Sequence, residues 1–338
     1  MIATSRTNKN SKIVITQTPL RLSFFGGSSD IKEFYIKNKG CVISSTINKH
    51  IYVILKNHGD LFDEKYRLNY QYSENVNTVT DIKNNIIREC LKYFKIDEPL
   101  YISTIADIPA KSGLGSSSSF TVGLLNALYS YIGQAASAGR LAEEACHIEI
   151  EVLKSPIGKQ DQHAAAFGGF NKFDFSISGV QSQSLEMMID PKQLFENIQL
   201  FWTGIERSAD DVLHSIDFSD PASEKKVMSI VKDCENVFEK IKNKKIKNFG
   251  DLGKLFDKSW QTKKSLSNKI SSNIIDEAYN RAKDAGSLGG KIAGAGGGGF
   301  LLLITPRDKK NQVTNSLTNL IPMPINYEPY GSRVILNN

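Results

Sequence analysis

Two carboxylates are spaced so that they can share one reaction. His147-Ile-Glu149-Ile-Glu151 lies toward the end of a helical pattern over 138–153, and Lys159-Gln160-Asp161-Gln162-His163 opens the next helical turn beyond Pro156 and Gly158. A helix, a break and a new helix start can bring Glu149 and Asp161 to one cavity. Phosphoryl transfer needs such a pair: an acidic oxygen ligand for Mg²⁺, and a carboxylate that orients or deprotonates the accepting hydroxyl. Glu149 and Asp161 fit those roles in that order. Singly, each also has an ordinary place, Glu149 as a solvated helix residue and Asp161 as an acid in a first helical turn. His147 and His163 stand nearby, but no HExxH run or paired cysteines complete a zinc site.

Three glycine-rich stretches could hold an anion near those carboxylates. The first is Pro109-Ala-Lys111-Ser-Gly113-Leu114-Gly115-Ser116-Ser117-Ser118-Ser119, between a strand pattern and an apolar helix. Glycines let backbone approach a ligand closely. The serines fall where a helix begins, so its free N–H groups and dipole favour a phosphate. A serine hydroxyl there can also reach a bound Mg²⁺. It is not a Walker A loop, because no lysine–serine or lysine–threonine pair follows the glycines at that spacing.

The second stretch, Gly289-Gly-Lys-Ile-Ala-Gly294-Ala-Gly296-Gly297-Gly298-Gly299-Phe, formally contains GxGxxG. A helix precedes it and a strand follows, the reverse of a dinucleotide-binding unit, so a dehydrogenase is rejected. The third is Pro19-Leu-Arg21-Leu-Ser-Phe-Phe-Gly26-Gly27-Ser-Ser-Asp30. An arginine in an apolar strand is expected to face an anion or a carboxylate, since burying it unpaired is unfavourable. Asp30 can accept hydrogen bonds from sugar hydroxyls, or serve as an Asx-turn or helix cap.

The elements that must position these residues follow from periodicity. Strands are expected at 13–25, interrupted at Pro19, and at 42–47, 51–56 and 100–105, with helices at 31–38, 82–94, 117–131, 138–153 and 159–167. Beyond about 190 come a strand at 198–203, helices at 208–216, 225–242, 251–264 and 271–285, and a strand at 300–304. No regular strand–helix–strand beat is present, so an α+β fold of two domains, 1–190 and 191–338, is expected. The 338 residues suffice for two cores.

The net charge of +6 is the difference between 42 basic and 36 acidic residues, and it favours anionic small molecules. The basic runs at 240–247 and 307–310 lack the interleaved aromatics that stack bases, so no nucleic-acid partner is expected. Cys41, Cys90, Cys146 and Cys234 are scattered, as small core residues of a reducing compartment would be. The opening MIATSRTNKNSK has no apolar h-region, and no run approaches the ~20 apolar residues that span a bilayer, so a cytoplasmic protein without membrane partners is expected.

PLRLSFFGGSSD, PAKSGLGSSSS and KIAGAGGGGF, in that order over residues 19–300, resemble the three motifs of the GHMP kinases, the superfamily of galactokinase, homoserine kinase and mevalonate kinase. The resemblance implies an N-terminal domain like ribosomal protein S5 domain 2, a C-terminal ferredoxin-like domain and an active site between them. It implies that ATP's triphosphate lies on Lys111, Gly113, Leu114, Gly115 and Ser116–Ser119. Mg²⁺ would bind Ser117 and Glu149, with Ser116 or Ser118 as alternatives to Ser117. Asp161 falls at the catalytic aspartate, and Arg21 would stabilise charge near the transferred phosphoryl group. Gly26, Gly27 and Asp30 would meet the sugar, and Gly294, Gly296, Gly297 and Gly298 would close around it.

TPLRLSFFGG, SPIGKQDQHAAAFGG and WTGIERSADDVL are most similar to kinases of D-glycero-D-manno-heptose 7-phosphate. These phosphorylate the anomeric hydroxyl to a 1,7-bisphosphate on the way to GDP-heptose and surface polysaccharides. SSD stands where many relatives have GTD, and Gly26-Gly27 replaces galactokinase's glutamate–histidine pair, which argues against galactose. Arg207 is the candidate clamp for the substrate's own phosphate. The other readings are an anomeric kinase for an unphosphorylated sugar such as fucose, and a silent sugar-phosphate or nucleotide sensor. A homodimer is left open.

Overall fold

The long apolar runs at 13–25 and 40–57 become the two strands on which the first half of the molecule is built. The structure, a computed structural model, describes residues 12–206, 209–218, 220–244, 246 and 249–338. Its first half contains β1 (Ile13–Phe25), α1 (Lys32–Tyr35), β2 (Gly40–Asn57), β3 (Tyr66–Asn69) and β4 (Ser73–Val76). Next come α2 (Asn85–Phe94), β5 (Leu100–Ala106), α3 (Ser116–Tyr131) and α4 (Ala138–Cys146). A π-helical turn at His147–Val152, α5 (Gln160–Phe167), β6 (Phe170–Ser176) and β7 (Gly179–Ser184) complete it. The second half runs through α6 (Pro191–Phe195), β8 (Ile198–Trp202), α7 (Ala209–Leu213), α8 (Pro221–Lys242) and α9 (Phe249–Lys264). It ends with α10 (Asn273–Asp284), β9 (Gly289–Ile292), β10 (Phe300–Ile304), α11 (Lys310–Ser316), β11 (Ile321–Pro322) and β12 (Arg333–Asn337).

The first sheet has the order β12-β1-β2-β5-β3-β4, with β6 paired to the beginning of β2 and β7 to β6. The second is an antiparallel sheet of order β11-β8-β10-β9. The mixed α+β architecture agrees with the sequence reading. Pro19 does not interrupt β1, as periodicity suggested. The register with β2 shifts between Pro19 and Leu20, and this bulge absorbs the missing N–H of proline while the strand continues. The helix expected over 138–153 changes pitch at His147, so Leu153 N donates to Ile148 O five residues back.

α3 is buried on nearly every side and carries apolar or small residues all round, as a helix enclosed by other elements must. It approaches β1 so closely that Thr16 Oγ1 donates to Gly123 O at 2.9 Å. A Cβ on Gly123 would lie 2.7 Å from Thr18 Oγ1. All four cysteines are free and buried, as expected of core residues. Among the described residues no helix is long and apolar enough to cross a membrane.

The two halves share apolar surface. Phe25 of β1 meets Phe256 of α9 edge-on with centroids 4.6 Å apart, and Phe24 meets both Phe256 and Phe170 at 5.8 Å. α9 is in turn held to β9, where the Cβ that Gly289 lacks would fall 2.1 Å from Gly253 O. We expect Phe256→Ala to lower stability by about 3–5 kcal/mol, the range for truncating a fully buried aromatic. Urea unfolding measures it, and a loss under about 1 kcal/mol would show that this contact does not join the halves.

Candidate active site

The glycines of the loop after β5 set the direction in which α3 begins. Gly113 and Gly115 have φ of +81° and +76°, a region that disfavours any side chain, and Gly115 is the residue from which the helix starts. Ser116, Ser117 and Ser118 then form its first turn on the wall of a cleft of about 300 Å³. The N–H groups of that turn have no partners inside the helix, an arrangement that favours an anion. The loop between β9 and β10 faces it. A Cβ on Gly294 would sit 2.6 Å from Gly113 O, and one on Gly113 equally close to Ala293 O. Backbone meets backbone here, which explains why both loops are glycine.

Arg21 leaves β1 toward the same place. Its Nε donates to Asp161 Oδ1 at 2.7 Å and Nη2 to Oδ2 at 2.6 Å, a two-pronged pair, while Nη1 donates to Gly113 O at 2.7 Å. Its backbone N–H also donates to Leu114 O. The arginine is buried, and Asp161, in the first turn of α5, keeps 22% of its side chain exposed, toward the cleft. The expectation that Arg21 faces a carboxylate is met, and the fork geometry fixes the orientation of Asp161.

Glu149 lies in the π-helical turn behind the serines and is almost fully buried. Its Oε1 accepts from Ser117 Oγ at 2.7 Å, and its Oε2 from Ser118 Oγ at 2.8 Å and Gln162 Nε2 at 2.7 Å. Burial raises its pKa, and these three donors oppose the rise. No basic side chain lies within ion-pair distance of Glu149 among the described residues.

Asp30 accepts the N–H of Gln160 at 3.2 Å on its side chain and that of Lys159 on its carbonyl, so it caps α5 from another element. Gly158 makes room for it, since a Cβ there would lie 1.9 Å from Oδ2. Burial, then repulsion from Asp161, pushes its pKa up to about 6.

Arg21, Gly27, Asp30, Lys111, Gly113, Gly115, Ser116, Ser117, Ser118, Asp161, Gly294, Gly296 and Gly298 all line the one cleft, and Glu149 backs its serines. Other sequence candidates sit off the wall. Leu114 is in the core, and Ser119 Oγ donates to Pro19 O, so both serve packing. A Cβ on Gly26 would meet Cys41 O at 1.7 Å, and Gly297 N donates to Ile270 O. Arg207 lies outside the described residues. The sequence reading missed Lys263 of α9, which lines the cleft at 6% exposure. The signal was available, because Lys263 continues the stripe of Leu252, Phe256 and Ser259, whose other members face the interior.

A helix N-terminus for a phosphate, a clamped carboxylate and a second, buried carboxylate make this cleft that of a phosphotransferase. Residues 82–169 match the GHMP kinases N terminal domain and residues 237–322 the GHMP kinases C terminal domain. A D-glycero-alpha-D-manno-heptose 7-phosphate kinase from Campylobacter jejuni is 31% identical over 90% of this chain and 93% of its own. The chain belongs to the GHMP kinase family, whose co-substrate is ATP. A solved putative sugar kinase from Campylobacter jejuni superposes with a TM-score of 0.74 at 27% identity, covering 98% of this chain and 100% of that one. A D-glycero-D-manno-heptose 1-phosphate kinase from Bacteroides thetaiotaomicron, 23% identical, shares the fold with a TM-score of 0.73 over 96% of this chain and 99% of its own.

Asp30 gives a test of this electrostatic setting. A carboxyl with a higher pKa when folded holds its proton more tightly in that state, so ionising it between about pH 4 and about pH 6 lowers stability. Asp30→Asn cannot ionise, and relative to wild type it should gain up to about 3 kcal/mol across that window. Urea midpoints for both proteins at about pH 4 and about pH 7 read the difference. Parallel curves would make Asp30 an ordinary carboxyl.

Proposed function

We propose that this kinase transfers the γ-phosphoryl group of ATP to the anomeric hydroxyl of D-glycero-D-manno-heptose 7-phosphate, giving the 1,7-bisphosphate, an intermediate toward GDP-heptose and surface polysaccharide. The substrate rests on the 31% identity shared over nearly the full lengths of both chains. The chemistry rests on one observation: Asp161, clamped by Arg21, opens onto the cleft walled by the α3 N-terminus. The proposal includes a cytoplasmic location and a division into an ATP-binding part, 1–190, and a second part, 191–338. β12 is an exception to that division in sheet membership, because it pairs with β1.

In this reading the N–H groups of Ser116–Ser118 hold the triphosphate. The sugar lies between Asp30 and the Gly294–Gly298 loop, its anomeric hydroxyl against Asp161. Asp161 orients that oxygen toward the γ-phosphorus and takes its proton as the new P–O bond forms and the bond to ADP breaks. Arg21 keeps the carboxylate in position.

The residues present suit a magnesium ion. Glu149 is a buried carboxylate with no basic partner among the described residues, and its Oε1 accepts only from Ser117, which lines the cleft. Ser117 Oγ and Glu149 Oε1 are therefore the hard oxygen ligands we assign to it. Bound there, Mg²⁺ would neutralise charge on the phosphates.

Asp161→Asn should lower kcat by roughly 10²–10⁴ while the Kd for ADP stays within about twofold. An unchanged kcat would remove Asp161 from the mechanism. Ser117→Ala should shift the magnesium titration of activity to higher concentration, and superimposable titrations would transfer the ligand role to another serine. ADP release compared across heptose 7-phosphate, fucose and galactose, with the phosphorylated carbon located by NMR, tests the substrate. Preference for an unphosphorylated sugar, or phosphate on any carbon but the anomeric one, would overturn it.

A further inference from the structure

Arg21 has little left to offer a phosphate. Three of its five N–H donors are taken up by Asp161 and Gly113 O. A further cation to meet charge developing on the transferred group can come from elsewhere in the cleft, whose wall carries Lys111 and Lys263. Lys263 is placed for it. It reaches the cleft from α9, in the half opposite the phosphate-binding helix, and its side chain is buried. Its ammonium donates to Gly294 O, on the glycine that rests against Gly113. No carboxylate lies within ion-pair distance of it among the described residues.

A buried ammonium held only by one carbonyl is unfavourable until an anion arrives. Burial, then repulsion from Arg21, lowers the pKa of Lys263 to about 8, and Asp30 and Asp161 oppose that shift, so it remains mostly charged at neutral pH. A second buried lysine, Lys291, donates to Phe24 O behind it; burial, then repulsion from Lys263 and Arg21, pushes its pKa well below the usual lysine range, and it does not reach the wall.

We propose that Lys263 is a catalytic residue: its ammonium binds the γ-phosphoryl oxygens of ATP and follows them as the group moves to the acceptor hydroxyl. The sugar oxygen bonds to the γ-phosphorus, the bond to the β–γ bridging oxygen breaks, the hydroxyl proton goes to Asp161 and ADP departs. Lys263 keeps its protons throughout. The inference rests on the phosphoryl-transfer reading but not on which sugar accepts.

The test compares Lys263→Met with wild type by calorimetric binding of ADP and of a non-hydrolysable ATP analogue, and by steady-state kinetics. Removing one donor from a transition state typically lowers kcat by about 10²–10³, and that fall is expected here. ADP affinity should stay within about twofold while analogue affinity drops about tenfold, and Lys263→Arg should recover part of it. Equal loss for ADP and analogue would make the lysine a structural prop of Gly294. A rise confined to the KM of the sugar phosphate would give it to the substrate's own phosphate, and a kcat within about threefold of wild type would remove it from the reaction; each overturns the proposal. Should the methionine variant not fold, Lys263→Gln, which can still donate to Gly294, carries the same expectations. The binding arm needs no sugar, so its failure is distinct from failure of the heptose assignment.

Discussion

The two-pronged contact between Arg21 and Asp161 organises the site. Asp161 is held at both oxygens, so it has one orientation rather than a set of rotamers. The same guanidinium holds the Gly113 carbonyl, and the backbone of Arg21 holds that of Leu114. One residue of β1 thus fixes the loop that starts α3 and the acid that starts α5. Removing either charge would leave the other poorly solvated, a change that is destabilising where a paired ion pair is merely neutral. The pair works as a geometric device more than as a source of stability.

Around this contact the cleft alternates in sign. Asp30 and Asp161 stand against Arg21 and Lys263, while Glu149 waits behind hydroxyls that meet both its oxygens. Asp30 also supports the N-terminus of α5, so the residue we propose to meet the sugar helps to position Asp161. Ligand contact and scaffold therefore share atoms, and a change at Asp30 should be read for both.

Much of this was legible in the amino-acid order, because phosphate binding needs backbone freedom and glycine records that need directly. The loops around Gly113 and Gly294 were found that way, the acids Glu149 and Asp161 from their spacing across a helix break, and Arg21 from its place in an apolar strand. Leu114 and Ser119 show the limit of motif reading: they sit among cleft-lining residues yet serve the core, a difference made by side-chain direction alone. The hairpin of β6 and β7 was missed although Phe170, Phe173 and Phe175 mark its buried positions. β3, β4 and β12 are short, and β3 and β12 pair with strands far away in sequence. The change of pitch at His147 left no mark in composition. Lys263 was passed over, although it continues the buried stripe of α9, because a lysine in a charged helix ordinarily reads as solvated.

The last strand rejoins the first. Val14 lies opposite Asn337, and Ile13 and Asn338 exchange backbone hydrogen bonds. While this polypeptide is being made, the outer edge of β1 stays open until residues 333–337 have left the ribosome. For that interval a long apolar strand can pair with a neighbouring nascent chain. Completion of the first sheet thus waits until residues 333–337 have been made, and a chaperone would have its greatest effect before then.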